Sequence, residues 1–324
     1  MSSVSSPTAT LPPRVAFTSF SAAVSRIQRL GDNFARVTFV GEELAEFHAA
    51  GLDQRVKLIF PLAGLGLGTF PRAGSDWFSC WRDLPDNERC PMRTYTVRAM
   101  RHESRELDID FVTHGDSGPA TRWVNRADVG DELLIIGPDG RTLTEGTGPV
   151  GGVEFRPGNA SRLLLAGDET AAPAIGSILE HLPADAVGQA FIEVATERDI
   201  LTIAAPAGVT VTWLARDRHS AAEHGGPLGN AVQAWVSEMV SSDDEAHCAA
   251  LAGADLADVD VDTDMLWEVP ATDGGRAPCD GLYAWIAGEA GCIKELRRFL
   301  VRDTGMARDS VAFMGYWRTG KSEN

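Results

Sequence analysis

Arg93-Thr94-Tyr95-Thr96-Val97-Arg98 is the stretch on which the reading of this chain turns. It alternates as a β-strand does, so Arg93, Tyr95 and Val97 share one face and Thr94, Thr96 and Arg98 the other. Each face therefore carries a guanidinium, with a tyrosine and two hydroxyls beside them. A strand buried in a core rarely holds two arginines, because an unpaired buried charge is costly. The residues alone leave two readings open: an ordinary exposed strand, or a strand that meets an anionic, planar ligand. Arginine grips a pyrophosphate bidentately, an aromatic ring stacks on a flat heterocycle, and a hydroxyl bonds a ring nitrogen.

Working downstream, His114-Gly115-Asp116-Ser117-Gly118-Pro119-Ala120 follows a strand ending at Thr113, with Trp123 shortly after. Pro119 sits where a helix begins. Glycines just ahead of a helix N-terminus let backbone amides approach a phosphate, and the helix dipole favours the negative charge. A phosphate turn shortly after a two-arginine strand suits FAD, which combines a pyrophosphate with a flat ring system. Two phosphate-binding elements suit the dinucleotide better than FMN.

The elements around these motifs fall into two regimes. Val15 to Gln28, Phe34 to Val40, Val56 to Phe60, Arg93 to Arg101, Glu106 to Thr113 and Glu132 to Gly137 read as strands bounded by turn residues. Strands with few helices predict an antiparallel barrel. The long connection from Leu62 to Met92, with Trp77 and Trp81, reads as either a functional loop or a surface cover. From Arg162 the period changes. Strands at Arg162 to Ala166, Ala190 to Ala195, Val209 to Ala215, Leu282 to Ala287 and Ser310 to Trp317 alternate with helices at Pro173 to His181, Leu228 to Met239 and Ala290 to Val301. That alternation predicts a doubly wound parallel sheet. Pro157-Gly158-Asn159 marks the break, giving a tail at 1–13, a barrel domain at 14–158 and an α/β domain at 159–324.

In a doubly wound sheet, ligands bind beyond the carboxyl ends of the strands. Gly167-Asp168-Glu169-Thr170 and Gly288-Glu289 occupy such positions, so a nucleotide site is expected there. Neither turn is a G-x-G-x-x-G. A flavin barrel placed ahead of the sheet implies an electron donor, NADPH or NADH. Arg198 follows the second strand and Arg216 the third, and basic groups there favour the 2′-phosphate of NADPH; surface salt bridging is the competing role.

Composition excludes several classes. The net charge of −17 argues against nucleic acid or an anionic membrane surface as partner. No apolar run is long enough to insert into a membrane. Met1 to Pro13 is rich in Ser, Thr and Pro and reads as a disordered tail rather than a secretory signal. Cys80, Cys90, Cys248, Cys279 and Cys292 form no C-x-x-C pair, which argues for a reducing, cytoplasmic compartment and against a zinc or iron–sulfur site. Between Ser241 and Pro270 acids accumulate without Lys or Arg: Asp243, Asp244, Glu245, Asp255, Asp258, Asp260, Asp262, Asp264 and Glu268. Residues 241–275 therefore read as a solvated acidic insertion, without the glycine and closing glutamate of an EF-hand.

These motifs resemble, in order, those of the siderophore-interacting proteins, FAD-containing ferric-siderophore reductases of the ferredoxin-reductase-like superfamily. The resemblance rests on Val56-Lys57-Leu58-Ile59-Phe60-Pro61, Met92 to Arg98, His114 to Trp123 and Gly137-Pro138 with Gly140. It continues through Ala166 to Thr170 with Pro173-Ala174-Ile175, Tyr283 to Glu289, and Gly315-Tyr316-Trp317-Arg318 with Gly320. It implies FAD bound by Arg93, Tyr95, Thr96, Arg98, His114, Gly115, Gly118, Pro119, Ala120, Trp123 and Trp317. It implies NAD(P)H at Gly167, Asp168, Glu169, Thr170, Arg198, Arg216, Gly288 and Glu289, and a ferric siderophore, often anionic, near Lys57 and Arg318. Many members have an arginine between the glycines of the Gly-Pro-x-Gly turn. Here Asp139 takes that position and Arg141 follows, so Arg141 is a third, weaker candidate. Hydride would pass to FAD and single electrons to iron in a cytoplasmic monomer with no iron–sulfur cluster. Two alternatives keep the same folds: a generic NAD(P)H:flavin reductase without an iron role, and a non-enzymatic siderophore-binding module.

Overall fold

The computed structural model describes residues 16–72, 76–113, 115, 118–143, 151–218, 223–242, 266–270 and 281–320. The 1–13 tail and most of the 241–275 segment lie outside these residues.

The first half forms a seven-stranded antiparallel sheet from β1 (Phe17–Arg29), β2 (Phe34–Val40), β3 (Arg55–Ile59), β4 (Met92–Thr96), β5 (Ala99–Arg101), β6 (Glu106–Val112) and β7 (Glu132–Pro138). Its order is β4-β3-β7-β1-β2-β6-β5. The two outermost strands, β4 and β5, are joined by Val97 and Arg98 alone. The run that the sequence presents as one strand is thus two, and its bend brings the ends of the sheet together as a barrel. Val97 N–H donates to Gln54 O, just before β3, and Arg98 N–H to Asp108 O of β6, so the two residues of the bend are pinned to different elements. Tyr95 meets Phe111 across the closure, with ring centroids 4.5 Å apart. Alternate residues of each strand fill the interior: Phe20, Phe39, Val56, Leu58, Leu107, Ile109 and Ile135 are all buried there.

The connection after β3 is a cover with structure of its own. It contains α1 (Trp77–Arg82) and packs Phe70 and Trp81 on Ile59, Leu134 and Ile136 of the outer barrel face. The Trp81 indole N–H donates to Cys90 O at 2.9 Å, so this large ring is buried without an unpaired donor. A second short helix, α2 (Pro119–Val124), starts at Pro119. Its Trp123 packs on Phe39, Phe60 and Phe111 in the barrel core.

The second half forms a six-stranded sheet from β8 (Arg162–Gly167), β9 (Val187–Val194), β10 (Gly208–Ala215), β11 (Trp267–Glu268), β12 (Leu282–Glu289) and β13 (Val311–Trp317), in the order β10-β9-β8-β12-β13-β11. Leu164, Leu165, Ala166, Trp285 and Ile286 of the central strands are all buried, because the sheet is covered on both faces. α3 (Ala172–His181) packs on one face; α4 (Gly226–Ser242) and α5 (Ala290–Arg297) pack on the other. Five of the strands are parallel, as the alternation predicts; β11 pairs antiparallel with β13. Trp267 and Glu268, within the 241–275 segment, thus belong to the sheet.

Three of the contacts that join the halves are centred on buried side chains. Asp53, fully buried, accepts from Glu154 N–H and Phe155 N–H of the connecting segment and from the Trp285 indole N–H at 2.9 Å. Asp199, also buried, accepts from the Asn33 backbone and side-chain amides at 2.7 and 2.8 Å. Arg98 makes a bidentate pair with Glu180 of α3, both bonds 2.6 Å.

Candidate functional site

On β3 and β4 the pleat sorts the candidate residues. Arg93 lies opposite Leu58 and Tyr95 opposite Val56, whereas Lys57 lies opposite Thr94 and Arg55 opposite Thr96. Val56 and Leu58 are buried in the barrel; Lys57 stands on the outer face, its Nζ 3.4 Å from Thr94 Oγ1. Arg93 is half-buried at the start of β4, donating to Met92 O at 2.8 Å. Thr96 and Arg98 are buried at the bend.

The bend faces the second sheet. A cavity of about 310 Å³ lies there, lined by Gln28, Arg36 and Arg98 from the barrel and by Ala172, Pro173 and Ile200 from the α/β half. Arg98 is already committed in this wall: besides Glu180, its Nε stands 3.7 Å from Asp110. Arg36 likewise pairs with Asp110 at 2.6 and 2.8 Å, and that bond, outweighing burial, raises its pKa. The guanidinium Arg98 therefore acts first as the bolt between barrel and α3.

The glycine turn fits a phosphate. Gly115 has φ +70°, and a Cβ there meets no atom within 4 Å. Gly118 is the N-cap of α2 and offers no side chain, so no side-chain cap satisfies the first-turn N–H groups of Ala120 and Thr121, Pro119 having none to offer. Uncapped amides and a glycine cradle with open space suit a phosphate; the half-buried Arg93 on β4 is a separate candidate donor. His114 lies outside the described residues. Trp123 belongs to the barrel core and Ala120 is buried beneath the turn.

At the carboxyl ends of the second sheet, most of the acids hold the framework together. Asp168, 1% exposed, accepts from the Thr170 amide and hydroxyl, from Glu289 N–H at 2.8 Å and from the Trp317 indole N–H at 2.8 Å. It therefore ties the ends of β8, β12 and β13 together. Burial, then the neighbouring Glu169, pushes its pKa up. Trp317 is thus anchored to the Gly167–Thr170 turn. Glu289 caps α5 with Oε2, accepting from Gly291 and Cys292 N–H, and accepts from Thr319 N–H with Oε1. That helix N-terminus is neutralised by its own carboxylate.

Arg216 lies in the same layer. It pairs with Glu169 at 2.8 Å through both arms and with the fully buried Glu193 at 3.1 Å. Burial would raise the Glu169 pKa, but the Arg216 bonds win and hold it near about 2. His224 stands 3.6 Å from Asp168 and Glu169, edge-on to Trp317 with centroids 5.0 Å apart. Burial disfavours its charged ring; the Glu169 and Asp168 carboxylates outweigh that and raise its pKa. Arg198, 81% exposed, has Asp32 at 3.5 Å. Arg141 pairs through both arms with the buried Asp139 at 2.7 Å, which follows from an acid standing where an arginine was expected. Arg318 follows β13 directly, after Trp317.

Sequence reasoning missed Asp53, Asp199, Glu193 and His224. Each acts through partners far away in the chain, so local spacing carried no signal for them.

Comparison with known proteins follows this geometry. Residues 23–142 match a family model described as a siderophore-interacting FAD-binding domain, and residues 160–320 one described as a siderophore-interacting protein. The ferric vibriobactin reductase ViuB of Vibrio cholerae is 30% identical over 92% of this chain and 89% of its own length. The NADPH-dependent ferric-chelate reductase of Escherichia coli is 27% identical over 91% of each chain. The crystal structure of the siderophore-interacting protein SipS from Aeromonas hydrophila superposes with a TM-score of 0.62 at 28% identity, over 95% of this chain and 94% of that one.

Proposed function

This chain belongs to the siderophore-interacting protein family, and on that premise we propose that it is an FAD-carrying, NAD(P)H-dependent ferric-siderophore reductase. The observation that carries the reading is the cavity between the barrel bend and the first turn of α3. Arg98, at the end of the run that begins at Arg93, lines it together with Ala172 and Pro173 of the helix that follows the Gly167–Thr170 turn. A flavin strand and a nucleotide turn must face each other for hydride to pass between two bound cofactors. The relatives named for ferric vibriobactin and ferric-chelate reduction support the substrate class.

In this reading residues 14–158 hold FAD and residues 159–324 hold the nicotinamide dinucleotide. Arg93, Gly115, Gly118 and the first amides of α2 take the pyrophosphate; Tyr95 and Thr96 take the ring. Gly167, Thr170 and Gly288 let the dinucleotide approach the strand ends, with Asp168 and Glu289 holding those turns in place. Arg198 is the candidate for the 2′-phosphate, because Arg216 is fully engaged by Glu169 and Glu193. Lys57 and Arg318 supply positive charge for an anionic ferric siderophore. FAD supplies the conversion of a two-electron hydride into the single electrons that ferric iron accepts. Hard catecholate and hydroxamate oxygens hold ferrous iron far less tightly than ferric, so reduction frees the metal without breaking the chelator. We take release to occur in the cytoplasm from a monomeric enzyme. Among the described residues no helix is long and apolar enough to cross a membrane.

The decisive measurement is the visible spectrum of the purified protein under anaerobic conditions. A flavin band should bleach on adding NADPH and return on adding ferric siderophore, with ferrous iron captured by a chromogenic trap. A band that bleaches but returns only with free flavin or oxygen supports the generic flavin reductase. A colourless protein that binds ferric siderophore supports the binding module.

A further inference from the structure

Trp267 stands where the two halves meet, and the proposed reaction assigns it no task. It lies on the edge strand β11 opposite Met314 of β13. The Arg55 guanidinium sits over its ring, 4.3 Å from the centroid. The Tyr316 ring lies nearly parallel to it, 16° between planes and 6.0 Å between centroids. Trp285 meets Tyr316 edge-on at 6.3 Å. Glu154 holds Arg55 from the side at 2.5 Å. The Tyr316 hydroxyl is buried without a hydrogen-bond partner, so ring contacts rather than a polar bond fix this tyrosine.

Both ends of this ladder lead to the substrate cations. Arg55 and Lys57 are two apart on β3 and share its outer face. Tyr316 and Arg318 are two apart at the end of β13. The strand carrying one cation is thereby clasped to the strand end carrying the other, across the boundary between the halves. We propose that Trp267 is a positioning residue for substrate binding, its contacts with Arg55 and Tyr316 setting the separation of Lys57 and Arg318. This rests on the reading that those two cations hold an anionic ferric chelate. A planar guanidinium keeps its charge while stacking on an indole, which an ammonium does less well.

The test uses the FAD-loaded enzyme with NADPH, a ferrous trap, and two probes: anionic ferric dicitrate and neutral ferric tris-acetohydroxamate. Trp267→Leu and Arg55→Gln should each raise KM for ferric dicitrate roughly five- to tenfold, in the range of a partly desolvated cation–π contact. FAD content, kcat and the anaerobic rate of FAD reduction by NADPH should stay within about twofold, because only ground-state placement of the chelate is lost. KM for the neutral chelate should rise less. Trp267→Phe keeps a ring for Arg55 and should behave as wild type. In a Lys57→Ala background Trp267→Leu should add nothing further, since residues acting through one contact are not additive. Unchanged KM in Trp267→Leu and Arg55→Gln, alongside a raised KM in Lys57→Ala and Arg318→Ala, overturns the proposal and leaves the substrate reading standing. Unchanged KM in the latter pair overturns the substrate reading itself. Lost FAD or slowed reduction in both Trp267→Leu and Arg55→Gln shows a general structural role and also overturns the proposal. Should Trp267→Leu not fold, Arg55→Gln decides alone.

Discussion

At the scale of single residues, Arg93 and His224 make separate claims. Arg93 stands half-buried beside the barrel interior and donates to Met92 O. Arg93→Ala should weaken FAD retention by about 1.5–3 kcal/mol, the range for a lost charge-assisted bond. Flavin content after gel filtration checks it, and a full complement removes Arg93 from the pyrophosphate site. His224 makes a claim about pH. Its pKa is raised in the folded state, so folding favours the charged ring. That stabilisation is complete below the unfolded value of about 6.5 and is lost as pH rises through the folded value. The melting temperature of the wild type should therefore fall relative to His224→Gln as pH is raised above about 6.5. Parallel curves for the two proteins would show that the carboxylates do not hold the ring charged.

At the scale of elements, the carboxylate of Asp53 joins the turn before β3, the connecting segment and β12. Burial comes first among its influences and raises its pKa against the bonds that favour the charge. Asp53→Ala would leave two backbone amides and an indole N–H buried without an acceptor. Unfolding in urea should show a loss of about 2–4 kcal/mol, more than a surface substitution and less than three full penalties, because relaxation recovers part. This element scale is also where the sequence was most and least legible. β2 was read to its end residues. The bend at Val97 was hidden, because a strand that turns a corner alternates just as a straight one does. α1 was hidden because Trp77–Arg82 is too short for a helical period, and its N-cap Asp76 makes no capping bond. β11 was hidden because two residues have no period at all. The commitments of Arg98, Arg141 and Arg216 were invisible because a guanidinium's partner is a matter of folding, whereas its presence in a motif is a matter of spacing.

At the scale of the whole molecule, the proposed function requires a chain of net charge −17 to bind an anion. Only local basic groups can oppose the general field. Lys57→Ala and Arg318→Ala should each raise KM for an anionic ferric chelate while leaving FAD reduction by NADPH unchanged in stopped flow. Added salt should raise KM in the wild type and less in the variants, since screening acts on the charges that remain. Equal losses for neutral and anionic chelates would point to a structural role for both residues. The barrel carries one more consequence. Its outermost strands are two halves of the same short run, so the sheet presents no long unpaired edge to a neighbouring copy, and the chain gains protection against edge-to-edge aggregation. The same run holds the residues assigned to FAD. Cofactor loading and protection from aggregation are then linked quantities: any ligand that binds only the closed barrel lowers the population of the open, sticky form in proportion to its own occupancy. Supply of flavin would thus set how soluble this protein is, as well as how active.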